Sequence, residues 1–153
     1  MTNLCSDVLT KLAGKTLATA ESLTGGGIGA ALTAVPGASA VFKGGIISYT
    51  DEVKREVLCV PAHVLQTHGA VSAPVAQAMA AGARKLLKAD YCISVTGLAG
   101  PSGDEFGHEV GTVFIGFESD VKALVKECHF SGDRDAVRSQ TMETALQLIL
   151  ENA

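Results

Sequence analysis

The stretch Thr16-Leu17-Ala18-Thr19-Ala20-Glu21-Ser22-Leu23-Thr24-Gly25-Gly26-Gly27 decides the architecture. Its first five residues alternate weakly and read as a short buried strand. Glu21 to Thr24 then lead into three glycines and an Ala-rich run to Val35, where Pro36-Gly37 breaks the chain. Strand, Gly-rich turn and helix in that order are the opening of an α/β fold. Before it, residues 2–13 read as a helix, with Thr2 or Asn3 as cap, Leu4, Val8, Leu9 and Leu12 on one face, and Gly14 as stop.

Beyond it the alternation continues. Gly44-Gly45 precede a second strand, Ile46 to Thr50, and Thr50 or Asp51 caps a short helix from Asp51 to Leu58. Pro61 starts another helix, ending near His68-Gly69. Ser72 caps a long amphipathic helix to Leu87, with Pro74 in its first turn. Tyr91 to Gly97 is a buried strand that runs into Gly97-Leu98-Ala99-Gly100-Pro101, and residues 102–109 form a polar loop. Val110 to Glu118 and Lys122 to Phe130 read as an antiparallel hairpin. Asp133 to Leu150 closes the chain as a helix. No repeat, low-complexity tract or linker interrupts the 153 residues, so one domain is expected. Helices interleaved with strands should cover both faces of one mostly parallel sheet, made mixed by the hairpin.

Composition narrows the function classes. Hydrophobic residues make up 47% and charged residues 18% of the chain, apolar enough for a core. Aromatics are only 5% and Trp is absent, so small and aliphatic side chains must fill that core. The net charge of -4, with no long Lys/Arg run, argues against nucleic-acid binding. The four cysteines form no C-x-x-C pair and fit no zinc spacing, so buried reduced thiols are expected. With no signal peptide and no apolar run near the ~20 residues that span a bilayer, a soluble cytoplasmic protein is expected, without membrane contact.

Three Gly-rich turns follow apolar strands: Ser22 to Gly27, Thr96 to Pro101 and Phe130 to Asp133. Ligands of open α/β sheets bind at the carboxyl ends of parallel strands. A Gly-rich turn entering a helix offers free N–H groups to a phosphate or an oxyanion. Ser22 lies where its hydroxyl would be exposed beside such groups, as a nucleophile requires. From spacing alone, capping of the next helix by Ser22 or Thr24 is the stronger reading. None of His63, His68, His108 and His129 stands in a recognisable triad pattern. A lysine is the other base: Tyr49 ends the second strand and Lys54 lies five residues on. If that strand neighbours the first, both side chains can point toward Ser22. Without that adjacency Lys54 is a surface lysine beside Glu52 and Arg55. Arg134 opens the last helix, where a cation opposes the dipole. An anion can hold it there, or Asp133 or Asp135 can.

Taken together, six ordered motifs resemble the CinA C-terminal domain family over essentially the whole chain. They are Ala20-Glu21-Ser22-Leu23-Thr24-Gly25-Gly26; Gly44 to Tyr49 with Lys54; His68 to Ser72; Thr96 to Pro101; Val110 to Val113; and Gly132-Asp133-Arg134 with Val137-Arg138. Free-standing members are nicotinamide-nucleotide amidases. The resemblance implies a three-layer α/β/α fold with a mixed, mostly parallel five-stranded sheet, no metal, no cofactor and a homodimer. It implies hydrolysis of the carboxamide of nicotinamide mononucleotide to nicotinate mononucleotide and ammonia. Ser22 matches the family nucleophile, and Tyr49 and Lys54 the residues that activate it. Thr24, Gly25, Gly26, Ser48, Thr96, Gly97, Ala99, Gly100, Arg134 and Arg138 match oxyanion and substrate-binding positions, with a helix-surface or dimer contact as the alternative for Arg138. Two departures stand out: Leu23 where the family usually has Cys, and Glu109 where it usually has Pro. The second implies a looser or reshaped loop over residues 102–109. A non-catalytic nucleotide-binding module and a metal-dependent hydrolase built on His68 and His108 are the competing readings.

Overall fold

A computed structural model describes residues 1–153. The elements run α1 (Thr2–Lys11), β1 (Leu17–Glu21), α2 (Gly27–Thr33), β2 (Phe42–Ile47), α3 (Asp51–Glu56), α4 (Ala62–His68), α5 (Ala73–Leu87), β3 (Tyr91–Gly97), β4 (Thr112–Glu118), β5 (Ala123–His129) and α6 (Arg134–Asn152). The five strands form one sheet in the order β2-β1-β3-β4-β5. β1 pairs in parallel with both β2 and β3, while β4 runs antiparallel to both β3 and β5. Four strands therefore point one way and β4 alone is reversed, a mixed sheet as expected.

Helices cover both faces. On one, Cys5 and Val8 of α1, Leu12 just beyond it, Ile28 and Leu32 of α2, and Val137, Leu146 and Ile149 of α6 bury Leu17, Ile93, Val95 and Ile115 of the sheet. On the other, Val75, Met79 and Ala83 of α5 and Leu65 of α4 cover Ala18, Ala20 and Cys92. β1 supplies both cores because its side chains alternate between faces: Leu17 faces the first helix layer, Ala18 and Ala20 the second. The small residues permit close approach. A Cβ on Gly82 of α5 would lie 2.0 Å from the Leu58 carbonyl oxygen, and one on Gly116 of β4 2.7 Å from that of Ala76.

Several boundaries differ from the sequence expectation. β2 begins at Phe42 and ends at Ile47, spanning the two glycines rather than following them, so Tyr49 lies in the loop beyond the strand. Gly45 is not a breaker there: a Cβ on it would meet Thr19 Oγ1 of β1 at 2.1 Å, so the pairing itself demands glycine. Helix α1 stops at Lys11, and neither Thr2 nor Asn3 caps it, because Met1 occupies the cap position without a side-chain bond. Thr50, Ser72 and Asp133 do cap α3, α5 and α6, each accepting an N–H three residues on.

Connections leave β1 and β2 on opposite faces, β1 through α2 and β2 toward α4 and α5. The carboxyl ends of those two strands therefore flank a crevice, the place where such sheets bind ligands.

Candidate active site

Ser22 follows β1 directly, and its N–H donates to the Val95 carbonyl at 3.0 Å, extending the ladder to β3 by one residue. The side chain is thus set by the sheet rather than by a free loop. Lys54 arrives from the β2 side of the crevice. The Thr50 cap starts α3 and directs Lys54 inward, leaving it 1% exposed. Its Nζ lies 3.0 Å from Ser22 Oγ and donates to the Tyr49 carbonyl at 2.9 Å. Ser22 Oγ is also 3.4 Å from that carbonyl. Burial lowers the Lys54 pKa from its ordinary 10.5 to about 8, against the opposing pull of Asp51. A serine hydroxyl within hydrogen-bond distance of an amine whose ammonium form burial disfavours has the geometry that a nucleophile and its base require.

The pair opens on a cavity of about 650 Å³. Leu23, Tyr49, Thr96, Gly97, Ala99, Gly100 and Arg134 share its lining with Ser22 and Lys54, as do Asp104 and Phe106 of the loop that follows β3. Thr96 is fixed by its hydroxyl, which donates to the Ala70 carbonyl at 2.9 Å. Arg134 has no carboxylate within ion-pair distance, so neither Asp133 nor Asp135 neutralises it; it donates to the Gly100 carbonyl at 2.6 Å and to the Tyr49 hydroxyl at 3.3 Å. It stands at the cavity as an unneutralised guanidinium, suited to an anion.

Tyr49 enters differently from the expectation. The group that meets Lys54 and Ser22 is its carbonyl, while the side chain is 58% exposed with its hydroxyl on Arg134. A reading by side-chain type has no means of finding a backbone acceptor. Thr24, Gly25, Gly26, Ser48 and Arg138 do not line the cavity. Thr24 is fully buried with its hydroxyl on Glu21, Gly26 is the left-handed cap residue of α2, and Ser48 is buried with its Oγ unpartnered. The Gly25 N–H is already donated to the Ser22 carbonyl at 3.1 Å, which removes it as an oxyanion donor. Arg138 instead grips the far side of the serine turn, donating to the carbonyls of Leu23 at 2.9 Å and Thr24 at 3.2 Å.

Glu21 was not singled out from the sequence. Its buried carboxylate accepts the Thr24 hydroxyl at 2.6 Å, the N–H groups of Ile28 and Gly29 at 2.9 and 3.0 Å, and the Thr19 hydroxyl at 3.3 Å. It fastens the start of α2 to the end of β1. The signal was a carboxylate at the end of a buried strand, four residues before the first glycine of a Gly-rich helix start. The histidines stay apart: His108 pairs with Asp104 and His129 with Glu127, both at 2.7 Å, and His63 and His68 are exposed. Burial raises the Asp104 pKa, but the His108 ring and N–H more than offset this and hold it below its ordinary value. Asp104 also accepts the N–H of Phe106, so the loop is folded around one carboxylate rather than loose. No three His, Cys, Asp or Glu residues gather as a metal site would require.

Fold and site together define a three-layer α/β/α protein with a buried serine–lysine pair where its parallel strands end. Residues 1–153 match the CinA C-terminal domain, and the chain belongs to that family. A CinA-like protein of Synechococcus sp. (strain CC9311) is 56% identical over 115 residues, covering 74% of this chain and 27% of that protein. One from Citrifermentans bemidjiense is 49% identical over 139 residues, covering 91% of this chain and 34% of that protein. The chain thus spans roughly a quarter to a third of the length of these relatives. Among solved structures, competence damage-inducible protein A of Klebsiella pneumoniae superposes with a TM-score of 0.96 at 37% identity, over 99% of this chain and 95% of that one. A CinA superfamily protein of Escherichia coli gives 0.97 at 34% identity, over 99% and 90%. No helix is long and apolar enough to cross a membrane.

Proposed function

We propose that this chain is a nicotinamide-nucleotide amidohydrolase that uses Ser22 as nucleophile and Lys54 as general base. The observation that carries the reading is the 3.0 Å contact between Ser22 Oγ and a buried Lys54 whose ammonium form is disfavoured. Neutral Lys54 accepts the Ser22 proton as Oγ adds to the carboxamide carbon of nicotinamide mononucleotide. The Lys54 ammonium returns that proton to the nitrogen, the C–N bond breaks, and ammonia leaves a nicotinoyl ester on Ser22. Water, deprotonated by Lys54, cleaves the ester and releases nicotinate mononucleotide. Arg134 supports the reading as an unneutralised cation for the substrate phosphate.

The test is ammonia release over a panel of nicotinamide compounds, with EDTA present. Turnover of the mononucleotide is expected, with loss of at least about 10³-fold in Ser22→Ala and Lys54→Ala. Binding without turnover in the parent protein would instead indicate a nucleotide-binding module. Full activity in Ser22→Ala would remove the nucleophile, and loss of activity on chelation would bring back a metal-dependent hydrolase.

A further inference from the structure

The chain holds five phenylalanines and two tyrosines. Of these only Tyr49, at 58%, and Phe106, at 42%, are exposed, and both line the cavity that holds Ser22 and Lys54. Tyr49 is placed by its hydroxyl, which accepts from Arg134. Phe106 is placed by its backbone and by its packing. Its N–H donates to Asp104 at 3.1 Å, and the same carboxylate holds the His108 N–H at 2.9 Å and the His108 ring at 2.7 Å. Its ring lies against the Gly69 backbone, where a Cβ would meet Cδ2 and Cε2 at 2.6 Å. An aromatic ring held this way while part of it stays open to the cavity is a preformed platform for another planar ring.

Charge is divided across the cavity. Arg134 stands on one side, bonded to Gly100 and Tyr49. Phe106, Glu105 and Asp51 border both the cavity and an adjoining hollow of about 350 Å³ that Arg134 does not line. Neither Glu105 nor Asp51 has a cation within ion-pair distance, and Arg55 of that hollow is paired with Glu56 at 3.2 Å. Asp51 is near enough to Lys54 to pull against the effect of its burial, so this negative side lies close to the reacting serine. The Phe106 side thus favours a positive charge and the Arg134 side a negative one.

We propose that Phe106 determines substrate specificity: the ring that bears the amide lies on its open side, and Glu105 and Asp51 beside it make the cavity take that ring as a cation in preference to a neutral one. The proposal rests on the amidase reading for the chemistry at Ser22 and deepens it by naming the substrate class, an amide on a cationic planar ring that also carries an anionic group. The ring keeps its charge from ground state to transition state. Its contact with Phe106 is therefore uniform binding, expressed in KM rather than kcat.

The experiment compares nicotinamide with 1-methylnicotinamide, which differ by a methyl group and one positive charge, and adds nicotinamide mononucleotide, whose ring is cationic. The parent protein should bind 1-methylnicotinamide about tenfold more tightly than nicotinamide. The ring protons of the bound cation should shift upfield and cross-relax with those of Phe106. Phe106→Leu keeps an apolar side chain and removes the aromatic face. It should raise KM for the mononucleotide by about 3- to 30-fold with kcat within about threefold, and bring the two small amides to within about threefold of each other. Phe106→Trp should keep the preference for the cation, and Glu105→Gln should weaken binding of the cation alone. If the variants fold poorly, the comparison of the two small amides on the parent protein decides by itself. Equal binding of the two, no contact with Phe106, an unmoved KM in Phe106→Leu, or a loss in that variant equal for charged and neutral rings would each overturn the proposal. Should no nicotinamide compound release ammonia while preference for the cation still depends on Phe106, the amidase reading falls and the ring assignment stands; ammonia release with an unmoved KM in Phe106→Leu gives the reverse.

Discussion

Lys54 carries a charge that its surroundings disfavour, and the same burial that suits it to the proposed role of base makes it a burden on the fold. Protonating it below pH 8 costs the folded state about 3 kcal/mol at 1.36 kcal/mol per pH unit between 10.5 and about 8. The sign follows from proton counting. Between about pH 8 and 10.5 the unfolded chain holds more protons than the native one, so stability should rise with pH across that window; below pH 8 the full cost is present. Activity should rise through an apparent pKa near 8, because only neutral Lys54 accepts the serine proton. Lys54→Met should therefore abolish turnover yet raise Tm at pH 7 by roughly 2–6 °C, an apolar side chain of similar length replacing a buried cation. Calorimetry of the variant beside an activity assay checks both halves; a lower Tm would show that the hydrogen bonds to Ser22 and Tyr49 outweigh the desolvation. This residue also shows where sequence reading stops. Its spacing from Tyr49 was legible, but its burial depends on strand neighbours that spacing does not specify.

At the scale of elements, the junction of β1 and α2 stores most of the site's precision. Glu21 closes it by accepting two hydroxyls and two N–H groups at the positive end of a helix. In Glu21→Gln the amide NH2 would face donors, so about two of those bonds are lost without replacement. The expected cost is about 2–4 kcal/mol, a Tm lower by roughly 5–15 °C, with slowed turnover in the protein that remains folded. A variant within about 0.5 kcal/mol of the parent in urea titration would show that the carboxylate does not hold the turn. The strand–turn–helix reading of this junction was available from the sequence because a short alternating run met three glycines. The start of β2 was not, since Gly44-Gly45 look like punctuation until Thr19 of the neighbouring strand is seen to exclude a Cβ at Gly45. The antiparallel hairpin of β4 and β5 was legible because its pairing is local.

Across the whole molecule the site draws on both ends of the chain. Ser22 is tied to β3 by its N–H, Lys54 reaches it from beyond β2, and Arg134 of the last helix bonds both Gly100 and Tyr49. The order β2-β1-β3 that brings these together was not readable from local pattern, since it depends on which faces the crossovers take. Once the sheet forms in that order, no subset of elements carries the serine–lysine pair by itself: β1 needs β2 for the base and β3 for the Ser22 N–H acceptor. Both helix layers bury apolar residues on the same sheet, so neither core should open while the other stays closed. Loss of far-UV ellipticity and loss of Ser22 labelling by a fluorophosphonate should therefore follow one curve in urea, with a common midpoint and a slope of about 1–3 kcal/mol per molar. Labelling lost at clearly lower urea than ellipticity would mean that the crevice opens as a separate unit and that the chain is not one cooperative domain.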